Sequence, residues 1–129
     1  MSFDDRSATI SIGGRDLELV LTTRATRLIA ERYGGLENLG KALEDSDDIA
    51  KSLTEVTWLI ALLANQSVLI HNLKNPDNKQ PELTTDELEI LTIPSDLAGY
   101  KDAISAAMVK GTKREIVSDP KAPVPATAR

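Results

Sequence analysis

The stretch SATISIGGRDLELVL, residues 7–21, decides the fold. Ala8, Ile10 and Ile12 alternate with Thr9 and Ser11, and Leu17, Leu19 and Leu21 alternate with Asp16 and Glu18. Strict alternation marks a strand with one buried face. Between the two runs, Gly13-Gly14 can supply positive φ at both central positions of a two-residue hairpin turn. That turn sets the register, with Ile12 opposite Arg15, Ile10 opposite Leu17, Ala8 opposite Leu19, and Thr9 opposite Glu18. A slip of one residue would destroy the match of apolar with apolar. A hairpin by itself is marginal, so its apolar face must lie on helices.

Everything downstream reads as helix. Thr22 or Thr23 caps a first helix that carries Ala25, Leu28, Ile29 and Tyr33 on one side, and Gly34-Gly35 ends it. Leu36, Leu39 and Leu43 mark a short second helix. Ser46 is expected to open the longest helix, with Asp47 and Asp48 in a first turn where the macrodipole favours negative charge. It runs to about Asn72 and is stopped by Asn75-Pro76. A polar loop spans residues 74–83, and Thr84-Thr85-Asp86-Glu87 has the capping-box pattern of a further short helix with Leu88 and Leu91. Pro94 breaks that helix. Ser95 is expected to cap a last one bearing Leu97, Tyr100, Ile104 and Met108, with Gly111 closing it.

The expected fold is therefore α+β and mostly α: an N-terminal β-hairpin on a bundle of about four to five helices with one long central helix. A single domain is expected over residues 7–111, between a flexible N-terminus (1–6) and a disordered tail (112–129) that contains Pro120, Pro123 and Pro125.

Composition bounds the chemistry. With 129 residues there is room for one core, and with one Phe, one Trp and two Tyr it must be built from aliphatic side chains. Acidic residues outnumber basic ones, 20 to 15, which argues against a duplex-binding surface. No cysteine is present, so disulfides, thiolate catalysis and thiol-ligated zinc are excluded. The start of the chain lacks a basic-then-apolar leader, and the longest apolar run, Trp58 to Ala64, falls short of the roughly 20 residues a membrane span needs. A soluble, cytoplasmic protein is expected.

The long helix presents two faces. Ile49, Leu53, Val56, Ile60, Leu63 and Ile70 form a stripe, widened by Leu59, Leu62, Leu69 and Leu73, that reads as the core face. Trp58, Ala61, Asn65, Val68 and Asn72 line the opposite side, and from Thr54 to Leu73 only Glu55 and His71 can carry charge. Either the hairpin and the last helix cover both faces, or the Trp58 line is a surface for partner binding or self-association.

Other motifs explain themselves structurally. Gly35 to Ala42 approaches a phosphate loop, but Ala42 replaces the magnesium-binding hydroxyl, Glu37 would repel phosphate, and a helix rather than a strand precedes it. The helix-turn-helix from Thr23 to Leu43 would offer Glu37, Asn38, Lys41 and Glu44 to DNA, a poor reading surface. Glu44, Asp45, Asp47 and Asp48 lack the spacing of an EF-hand loop. His71 is the single histidine, so neither a zinc site nor a catalytic triad is expected. Lys110, Lys113 and Arg114 suit a helix C-terminus. No catalytic residue, metal or cofactor is expected.

Several segments carry a family resemblance: Ile12-Gly13-Gly14; Leu19 to Ala25; Ile29-Ala30-Glu31-Arg32-Tyr33-Gly34-Gly35-Leu36-Glu37-Asn38-Leu39-Gly40; Trp58 to Gln66; and Asp96 to Tyr100. The chain resembles the tail assembly chaperones of long-tailed phages and prophages of Gram-positive bacteria over residues 8–111. The Arg32-to-Gly40 segment is the most specific part. The resemblance implies a non-enzymatic protein that holds the long, helical tape measure protein soluble while tail tube subunits polymerise around it, and that leaves before the tail is complete. Contact with the tail tube protein and homo-oligomerisation are possible extensions; nucleic acid and membrane are not expected partners. The competing expectation is a structural head–tail connector or minor tail protein that stays in the virion.

Overall fold

The structure, a computed structural model, describes residues 7–44 and 48–118, with side chains up to Thr112 apart from that of Glu44. The chain opens with β1 (Ser7–Ile12) and β2 (Arg15–Val20). The strands pair antiparallel with Ile12 opposite Arg15, Ile10 opposite Leu17 and Ala8 opposite Leu19, as the alternation requires. Gly13 and Gly14 have φ of 61° and 80°, a conformation that disfavours side chains at both turn positions. Across the outer face, Glu18 accepts hydrogen bonds from the hydroxyls of Ser7 and Thr9 at 2.7 and 2.9 Å.

Among the described residues five α-helices follow: α1 (Thr23–Tyr33), α2 (Glu37–Glu44), α3 (Ile49–Lys74), α4 (Thr85–Leu91) and α5 (Leu97–Ser118). This is the expected α+β, mostly helical fold. The Thr22 hydroxyl caps α1 by accepting from the Ala25 N–H, and Gly34, at φ 80°, ends the helix in the left-handed region. The Thr84–Glu87 capping box is complete: Glu87 N–H donates to the Thr84 hydroxyl at 3.1 Å, and Thr84 N–H to the Glu87 carboxylate at 2.9 Å.

Three boundaries differ from the sequence reading. The N-cap of α3 is Asp48, whose carboxylate accepts from Lys51 N–H; Ser46 and Asp47 lie outside the described residues. Ser95 lies in a 3₁₀ turn, Pro94–Asp96, that leads into α5. Gly111 does not close α5, which continues to Ser118, so residues 112–118 belong to the helix. Gly111 is there because of contact, since a β-carbon at that position would meet the Leu21 side chain at 2.6 Å. The expected flexible N-terminus, and the expected tail from residue 119 on, lie outside the described residues.

β2 rests on α3 and β1 on α5, with α3 also touching α2, α4 and α5. Leu19 and Val20 from the hairpin, Ile29 from α1, Leu59, Ile60 and Leu63 from α3, Leu88 from α4 and Ile104 from α5 are fully enclosed. By length and composition α3 matches a membrane-crossing helix, with a mean hydropathy of 1.5 over an 18-residue window. In this fold it is the core helix, and it also buries Ser52, Thr57, Asn65 and Gln66.

Candidate functional site

The central helix leaves little of the Trp58 line unoccupied. Trp58 is half-buried. The Arg32 guanidinium carbon lies 4.3 Å from the centre of its ring, and Tyr33 meets it edge-on at 6.1 Å. Both partners are positioned by the last turn of α1. Arg32 also grips Glu55 of α3 through two bonds of 2.9 and 3.1 Å, and the Tyr33 hydroxyl donates to the same carboxylate at 2.5 Å. The Glu55 carboxyl is held below the ordinary carboxylate range, chiefly by the Arg32 hydrogen bond and then by Tyr33, against the opposing effect of burial. The Tyr33 hydroxyl is pushed well above its ordinary range, first by burial and then by Glu55. Arg32 and Tyr33 belong to the most specific segment of the family resemblance, and Glu55 is one of the two ionisable residues between Thr54 and Leu73. Nothing in the local spacing links them; only the crossing of α1 on α3 does.

Further along the line, Ala61 is in the core. Asn65 donates to the Leu83 carbonyl at 2.8 Å and accepts from the Leu83 N–H at 2.7 Å. Asn72 makes the same pair of bonds with Gln80, at 3.0 and 2.8 Å. Val68 between them is half-buried. The face read as a possible docking or self-association surface is thus covered by the chain's own loop 75–84 and by the end of α1. An uncharged helix face leaves its asparagines looking unpartnered, because loop backbone has no sequence signature.

Open apolar surface appears at the other side of the helix end, where the sequence placed core. Ile70 and Leu69 are half-buried and Leu73 is 83% exposed. At the opposite end, Ile49 is also exposed. A groove of about 620 Å³ runs beside the last turns of α3, lined by Leu69, Ile70 and Leu73, by Thr22, Thr23 and Arg24 at the start of α1, and by Lys79 from the loop. Its two charged lining residues are both cations, in a chain of net charge −5. Gln66 closes the floor: it is buried and accepts a 2.5 Å bond from the Thr22 hydroxyl. The groove therefore offers an oily floor with a positive rim to a helix or strand of another polypeptide.

Among the described residues no three His, Asp or Glu side chains gather as metal ligands. His71 is engaged with the loop, its Nε2 lying 2.9 Å from the Asn78 carbonyl. Comparison with protein-family models, with characterised proteins and with solved structures found no match to this chain.

Proposed function

We propose that this chain is a tail assembly chaperone of a long-tailed phage, acting without catalysis in the host cytoplasm and absent from the finished virion. Its client is the tape measure protein, which it keeps soluble during tail tube assembly. The observation that carries this reading beyond the family resemblance is the groove at the end of α3. There, among the described residues, Leu69, Ile70 and the exposed Leu73 contribute apolar side chains to an open groove at the helix end. An amphipathic client helix buries its stripe in such a groove, and many weak contacts along one long client add up to avidity.

The test is co-expression with the tape measure protein encoded beside it. The intact chain is expected to keep the client in the soluble fraction and to be recovered with it. Leu73→Glu places a charge in the groove at an exposed position and is expected to lower recovery with the fold unchanged. A client that precipitates equally with and without the chain ends the proposal, and recovery of the chain from purified particles would favour the structural connector or minor tail role.

A further inference from the structure

β2 runs beside α3 towards that helix's C-terminal end. Gly13, before the strand, lies against Leu91 of α4. Glu89 and Thr92, on either side of Leu91, share a pocket with Leu53 and Thr57 in the first half of α3. Thr22, just past the strand, bonds Gln66 far along α3. α1 then doubles back, so that Arg32 meets Glu55. The space ahead of β2 is left to the groove lined by Leu69, Ile70 and Leu73.

β1 is antiparallel to β2, so the residues before β1 set out in the same direction as β2. They leave from a fixed point. Ser7 is level with Val20 and buried, its hydroxyl donates to Glu18, and its carbonyl accepts from Lys110. The preceding sequence is Met1-Ser2-Phe3-Asp4-Asp5-Arg6. Counted back in the register of the hairpin, Asp5 falls level with Thr22 and Asp4 with Thr23, both on the groove wall. At about 3.3 Å per extended residue, Phe3 reaches about 13 Å from Ser7. Thr22 is about 7 Å along the same line, and Leu69 and Ile70 lie one helical turn, about 5.4 Å, beyond Gln66. The chemistry agrees with the reach. The groove carries Arg24 and Lys79 as its charged lining residues, and the first turn of α1 has no acidic residue to complement its positive end. Phe3 is the single phenylalanine of the chain and is followed by two carboxylates. The other end of the sequence, residues 119–129, sets Lys121 and Arg129 against one Asp119, the wrong sign for this rim.

We infer that Phe3-Asp4-Asp5 is the chain's own plug for this groove, with the Phe3 ring on Leu69 and Ile70 and the two carboxylates towards Arg24, Lys79 and the start of α1, and that it withdraws when a client helix enters. A single ring with two surface carboxylates makes a short contact, which a client bringing several apolar side chains displaces. The regulation rests on the groove being the client site, as proposed above; the contact itself does not.

The full chain has no cysteine, so an introduced pair reports proximity without background. Ser2→Cys is combined with Leu73→Cys, at a position 83% exposed, and disulfide formation is followed in dilute solution with an added oxidant. The link is expected within one chain and at least about tenfold faster than in the same pair carrying Asp4→Lys and Asp5→Lys, because seating raises the local concentration of the thiols above what the tether alone provides. Equal rates overturn the contact. So does a link between two copies, which would give the groove to a second chain. In a pull-down titration, Phe3→Ser is expected to capture half of the tape measure protein at about one tenth of the concentration the intact chain needs, as a groove open about a tenth of the time requires. An unchanged half-point overturns the regulation. A tape measure protein that neither chain captures ends the chaperone reading instead, and the disulfide rates still decide the contact.

Discussion

Gly111 of α5 lies so close to Leu21 that a β-carbon on the glycine would come within 2.6 Å of the Leu21 β-carbon. The last helix crosses the end of the hairpin at this point and continues for seven more residues. Gly111→Ala therefore sets two effects against each other. Better helix propensity contributes about 1 kcal/mol, whereas overpacking a closed contact costs about 1–3 kcal/mol. Net destabilisation is expected, read as a lower urea midpoint. Gly40→Ala in α2, with nothing within 4 Å, is expected to raise stability by about 0.5–1 kcal/mol.

Trp58→Ala removes the ring that Arg32 and Tyr33 cover. A loss of about 2–3 kcal/mol is expected, somewhat below the value for a fully buried aromatic. Light scattering on the same variant should show an unchanged particle mass, since the ring is used within the chain.

The Arg32–Glu55–Tyr33 cluster gives the protein a defined pH response. Glu55 is depressed in the folded state, so its stabilisation is present above the unfolded carboxylate value of about 4.3 and fades as pH falls through the lower folded value. Tyr33 is raised, so its contribution is intact below the unfolded value of about 10 and fades as pH climbs beyond it. Glu55→Gln should cost about 1 kcal/mol at neutral pH and flatten the acid limb of the stability curve. Tyr33→Phe should flatten the alkaline limb. Denaturant midpoints measured across pH check both.

Thr84→Ala deletes one half of the capping box that starts α4. The expected loss is about 1 kcal/mol in global stability, with faster amide exchange at Glu87, whose N–H loses its acceptor.

Leu63 and Leu73 make a matched pair on one helix. Leu63 is enclosed and Leu73 is 83% exposed. Leu63→Ala should cost about 2–5 kcal/mol, while Leu73→Ala should stay within about 0.5 kcal/mol of the wild type. Thermal or urea unfolding of the two variants side by side measures the contrast.

The hairpin was legible down to its register because alternation, turn residues and charge placement agree locally. The Thr84 cap was legible for the same reason. Gly111 was not, since a glycine in a helix signals either an end or a close approach, and the deciding neighbour lies 90 residues away at Leu21. Asn65 and Asn72 were placed on one face of α3 with its cover left open, because the loop backbone groups they pair with carry no side-chain pattern. Leu69, Ile70 and Leu73 followed the core periodicity past the point where covering elements stop. Periodicity fixes which way a side chain points on the helix; only the packing of other elements fixes what it meets. The groove was therefore invisible in the sequence, while the helix that carries it was plain.

The Lys110 ammonium of α5 donates to the Ser7 carbonyl at 2.8 Å, across 103 residues. The strand β1 is thus covered by a helix whose contacting residue is made 103 residues later. At about 5–20 residues per second, β1 waits roughly 5–20 seconds for its cover during synthesis. Through that interval Ile10 and Ile12 are open to the crowded nascent-chain environment. A protein proposed to shield another polypeptide's oily surface must first bring its own through the same exposure.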